Sequence, residues 1–132
     1  MTDILSLIAS SFLSEKDKEA LKSLFQSREA DEAFFRTFNK LLIDELGRRG
    51  KEFQMSVEAF DRRSLEIEKQ YHIKIEELEK ELDHALAGLT PDDVVKKSEL
   101  WKAYYVAVDA ARTKYEEAMR RATSEVIKQA MS

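Results

Sequence analysis

From Lys51 to Ala87, and again from Asp92 to Ser132, the chain carries neither glycine nor proline. Runs of that length without a backbone breaker point to helix, because turns and sheet corners draw on Gly and Pro for conformations that other residues avoid. The 132 residues hold three Gly and one Pro, and all four stand at candidate joints: Gly47, Gly50, Gly88 and Pro91. A doubly wound nucleotide-binding fold or a β-sandwich needs many such residues at its turns and is not supplied with them here. Hydrophobic residues make up 43%, enough for a packed core, and charged residues 36%, which suits helices with broad solvated faces.

The apolar spacing agrees. Phe53, Val57, Phe60, Ile67, Tyr71, Ile75, Leu78, Leu82 and Ala85 follow steps of three and four, with Ser64 in the one gap. Val94, Trp101, Tyr104, Val108, Ala111, Tyr115, Met119, Ala122 and Val126 form a second such stripe. Between them Gly88 stops one helix. Thr90-Pro91-Asp92-Asp93 restarts the next, with Thr90 as N-cap, Pro91 at the first helical position and two acids at the positive end of the dipole. A connection of about three residues predicts an antiparallel hairpin with arms roughly 55 Å long. Its register sets Leu78 against Trp101, Ile75 against Tyr104, Tyr71 against Val108 and Phe60 against Met119. Charges at matching levels agree with it, Arg63 with Glu116 and Lys80 with Glu99 among them, each worth a few tenths of a kcal/mol. Ser64 falls level with Tyr115, where two hydroxyls would meet.

Shorter helices precede the hairpin. Thr2 caps a first one ending near Leu13; Ser14, followed by Glu15, Lys16 and Asp17, caps a second running to about Gln26. Ser27 is the expected cap of a third, with Phe34, Phe35, Phe38, Leu41, Leu42 and Leu46 on its stripe. Gly47-Arg-Arg-Gly50 admits a turn at Gly47 or a helix continuing through both glycines, with the turn favoured. The fold class is therefore all-α: a long antiparallel helical hairpin (51–132) with a short-helix section (1–47) packed on it, one bundle-like domain overall.

Function is less legible. The absence of Cys removes disulfides, thiolate nucleophiles and Cys-ligated metal sites, and agrees with a reducing cytoplasmic setting. A net charge of −4 argues against nucleic-acid binding. No apolar run approaches the ~20 residues of a membrane span, and the apolar start Ile4–Leu13 lacks basic flanking residues. No Gly-rich phosphate loop, Ser–His–Asp order or HExxH is present. Three Phe in five residues will not remain in water, so Phe34, Phe35, Phe38 and Leu42 are the expected docking residues. Their target is either the small-residue face Ala103, Ala107, Ala110 and Ala118 of the same chain, or a partner or second copy. The function expected is a non-enzymatic interaction protein of adaptor, chaperone or assembly-factor type, with a protein partner or itself, and no cofactor.

The alternative is a metal-carboxylate bundle. Glu81-Leu-Asp-His84 has the Glu-x-x-His spacing of carboxylate-bridged di-iron sites, and Glu77 extends that face by one turn. A second such motif is missing, since His72 has Lys69 at the matching position. The basic pairs Arg48/Arg49, Arg62/Arg63 and Arg120/Arg121 are interleaved with acids, which favours local neutralisation over phosphate binding.

Overall fold

The computed structural model describes residues 4–28 and 31–131. Among them the fold is all-α: α1 (Ile4–Ser10), α2 (Glu15–Arg28), α3 (Glu32–Arg49), a single 3-10 turn (Lys51–Phe53), α4 (Gln54–Ala87) and α5 (Val94–Met131). The expected cap at Thr2 lies outside the described residues. At Ser14 the expected cap forms, its Oγ accepting the Asp17 N–H at 3.2 Å. Ser27 does not start the third helix, because α2 continues through it to Arg28. Asp31 does so instead, with extended backbone and a carboxylate that accepts the Phe34 N–H at 2.9 Å. A carboxylate caps at least as well as a hydroxyl and adds a favourable charge at the dipole's positive end, so the later site prevails.

The glycine joint combines both expected arrangements. α3 runs through Gly47, correcting the expected turn there, and stops at Gly50, whose φ of +136° and ψ of 173° no L-residue adopts readily. The second restart is also displaced. Thr90–Asp93 forms a turn, with the Asp93 N–H donating to the Thr90 carbonyl at 3.1 Å and Pro91 in the second position, where its fixed φ fits. The helix begins one turn later, the Asp93 carbonyl accepting the Lys97 N–H at 3.0 Å. The connection is thus six residues, 88–93, rather than three.

Contacts divide the chain into two compact units, Met1–Ile67 with Glu116–Ser132, and Glu68–Tyr115, so that α4 and α5 run through both. In the first unit α1 packs on α2 and α2 on α3. Ile4, Leu7 and Ile8 are buried, so the apolar start is spent on this core. Phe34, Phe35 and Phe38 are fully buried; the Phe34 ring lies 5.4 Å from Phe35, 5.8 Å from Phe38 and 5.7 Å from Phe25 of α2. Tilted and edge-on ring pairs of this kind contribute beyond their buried area. Where α3 meets α5, the fully buried Thr123 hydroxyl donates to Asn39 Oδ1 at 3.3 Å. Arg49 ties the end of α3 to Phe12, donating to its carbonyl at 3.4 Å with the guanidinium 4.9 Å from the ring centroid.

The two long helices are antiparallel, but not in the expected register. Arg63 pairs with Glu125 in the first unit, and Glu116 with Arg120 on its own helix, instead of Arg63 with Glu116. In the second unit Tyr71 packs against Tyr115, ring centroids 4.9 Å apart and planes tilted by 45°, where Val108 was expected. Both partners lie about two helical turns further along α5 than the short connection implied. The Ser64 hydroxyl donates to the Asp61 carbonyl of its own helix at 2.9 Å.

Candidate functional site

The Glu68–Tyr115 unit is two antiparallel helical segments and a turn, with no third element of its own. Two helices can close only one seam between them. Leu78, Leu82 and Tyr115 are its buried apolar residues, while Ile75, Tyr71, Leu100, Tyr104 and Val108 remain half-buried. The opposite side of α5 is unusually apolar for a solvated helix: Val95 and Val106 are each 71% exposed, Val94 68% and Tyr105 62%.

Local sequence explains that side. Val94-Val95 and Tyr104-Tyr105-Val106 are consecutive apolar residues, and neighbours on a helix project about 100° apart. If Tyr104 faces α4, Tyr105 and Val106 must face elsewhere. Trp101, expected in the seam against Leu78, is instead 42% exposed at its margin, and Val94 has left the seam altogether. Trp101, Tyr104 and Tyr105 form one aromatic group, with centroid separations of 5.9 Å (101–104), 5.8 Å (101–105) and 5.5 Å (104–105). This mutual contact orders three large rings that face water in part, so the surface is pre-formed before anything covers it.

The turn at the head of α5 holds this face in place. Asp93 Oδ2 accepts both the Thr90 backbone N–H and the Thr90 hydroxyl, each at 3.0 Å. Those two bonds, with a smaller attraction from Lys97, hold the Asp93 carboxyl below its ordinary range against a small opposing cost of burial. Charges flank the apolar positions: Lys96, Glu99 and Lys102 are exposed, and Asp109 pairs with Arg112 at 2.9 Å.

The residues expected to dock elsewhere have been placed differently. Phe34, Phe35, Phe38 and Leu42 are all 0% exposed, covered by this chain's own residues, as in the intramolecular alternative. Of their expected receptors within the chain, Ala103 and Ala110 are exposed and Ala107 and Ala118 half-buried. Glu77, Glu81 and His84 stand exposed on α4, and among the described residues no three His, Asp or Glu side chains converge as a metal-binding group. Arg48 and Arg49 each pair with Glu45, at 2.9 and 3.7 Å, so that basic pair is neutralised locally. Among the described residues no helix is long and apolar enough to cross a membrane.

The exposed face of α5 was not singled out from the sequence. The signal was present in the doubled apolar residues, which one seam cannot absorb. No protein-family model, curated protein or solved structure matches the chain.

Proposed function

We propose that the protein is a non-enzymatic helical interaction protein, of adaptor, chaperone or assembly-factor type, that buries the outer side of its 68–115 hairpin against a protein. One observation carries the reading: a unit with three buried apolar residues leaves Val94, Val95, Tyr105 and Val106 largely in water, and Trp101 partly so, on one helix. Isolated exposed apolar residues are ordinary, but several on one helix, joined to an aromatic group, form the kind of patch that marks an interaction site. Enrichment in Trp and Tyr fits the composition of binding hot spots. A small two-helix unit also gains most from added apolar burial, because its own core is thin. A cytoplasmic location belongs to the same reading and agrees with the absence of Cys.

The test is affinity capture with the full chain, comparing wild type with a Val95→Glu/Val106→Glu variant. Both positions are exposed, so the variant should melt as the wild type does. A specific protein retained by wild type and lost with the variant is the expected result. Identical protein profiles from the two baits, with the untagged chain itself included among the prey, would refute the proposal.

A further inference from the structure

We infer that the covering partner of this face is a second copy of the chain, docked α5 against α5 in antiparallel orientation about a twofold axis between Leu100 and Trp101. This rests on the interaction reading above and names the partner. The outermost line of α5 is Val95, Glu99, Lys102 and Val106, all exposed and all within about 60° of arc on the helix. Their spacing of four, three and four is that of alternating seam positions in a coiled coil. Read backwards, the line is again valine, charge, charge, valine, with the signs of the charges exchanged.

An antiparallel twofold therefore sets Val95 on Val106 of the second copy and Glu99 on Lys102, and repeats both contacts by symmetry. Parallel pairing would set Glu99 on Glu99 and Lys102 on Lys102. Sliding the antiparallel pair by one heptad sets valine against Glu99 or Lys102. Only one arrangement satisfies both apolar and charged positions, and ion pairs in a seam fix register and orientation in just this way. Neither Glu99 nor Lys102 has an ion-pair partner within the described chain, so neither would have to give one up.

The flanks agree. A twofold normal to the plane of the two helices brings like flanks together, so both copies of Tyr105 lie along one side, with Trp101 behind them toward α4. The small Ala103 and Ala110 occupy the other side, where they permit close approach. At each end Asp92 falls level with Asp109 of the second copy, and Arg112, already 2.9 Å from Asp109, supplies the opposite charge there.

Sedimentation equilibrium of the full chain from about 10 µM to 1 mM at low salt tests the pairing. Wild type should shift from monomer toward dimer. Glu99→Lys or Lys102→Glu alone, each creating two like-charge contacts per dimer, should weaken association by about tenfold or more. The exchanged pair Glu99→Lys/Lys102→Glu should return to within about threefold of wild type. A wild type that stays monomeric, association indifferent to the reversals, or an exchanged pair no better than the singles would overturn the self-pairing. If a monomeric wild type still captures a protein that the Val95→Glu/Val106→Glu variant loses, self-pairing falls while the broader interaction reading stands.

Discussion

Substituting alanine at two glycines three residues apart should move stability in opposite directions. Gly50 sits at φ +136° and ψ 173°, a region essentially reserved for glycine, and nothing lies within 4 Å of where its Cβ would be. The cost of Gly50→Ala is therefore backbone strain without a steric clash, about 1–3 kcal/mol. Gly47 is helical, and its Cβ would also meet open space. Gly47→Ala removes the entropic penalty of glycine within a helix and should stabilise by about 0.5–1 kcal/mol. The two variants should then differ by about 1.5–4 kcal/mol. In urea, with a slope of ~2 kcal/mol per M, that is a midpoint separation of about 0.75–2 M, followed by the helical circular-dichroism signal. D-Alanine at position 50, whose sterics are the mirror image, should recover what L-alanine loses. Equal stability of Gly50→Ala and wild type would show that α3 does not end in a positive-φ residue. The joint would then be a continuous helix through both glycines.

Three further outcomes follow from the packing and the caps. Thr123→Val removes the hydroxyl that donates to Asn39, leaving a buried amide oxygen without that bond, and should cost about 1–3 kcal/mol in urea unfolding. Replacing both Asn39 and Thr123 with apolar residues of similar shape should recover much of that loss. Phe35→Ala empties a site that is 0% exposed and should cost about 3–5 kcal/mol, while light scattering on the folded variant shows wild-type association. The Asp93 carboxyl, followed by NMR titration, should protonate below 3.8, and Thr90→Val should move it back toward that value. Because its folded pKa is lowered, the stabilisation from Asp93 is fully present above the unfolded pKa. It is lost as pH falls through the folded one, so the start of α5 should fray on acidification.

What the sequence made plain is what neighbouring residues decide among themselves. The long stretches without Gly or Pro are helix through most of their length, and Ser14 caps as its composition suggests, because both depend on residues one to four positions apart. The misplaced boundaries were contests between adjacent candidates: Ser27 against Asp31, Gly47 against Gly50, Thr90 against Asp93. In each pair both members have the right chemistry, so residue type alone does not choose between them; at Asp31 the charge of the carboxylate at the positive end of the dipole does. Register is harder still. A stripe in steps of three and four nearly repeats every seven residues, so Tyr71 presents a similar seam to Val108 and to Tyr115, seven positions on. Surface charge pairs at a few tenths of a kcal/mol each do not break that near-degeneracy.

That near-degeneracy also explains how the candidate site escaped notice. With Trp101 assigned to the seam opposite Leu78, the stripe read from the sequence had no place for Val95, Tyr105 or Val106. In the observed register the seam takes Tyr104 and Val108 only in part and leaves Trp101 at its margin, so the surplus becomes a surface. Two helices bury one face each, and α5 has apolar residues on more than one. The excess has no destination within the 68–115 unit itself. The reversed charge order of Glu99 and Lys102 between the two valines then becomes informative. A face meant only for solvent has no reason to match its own antiparallel image, and a face meant for a second copy requires that match.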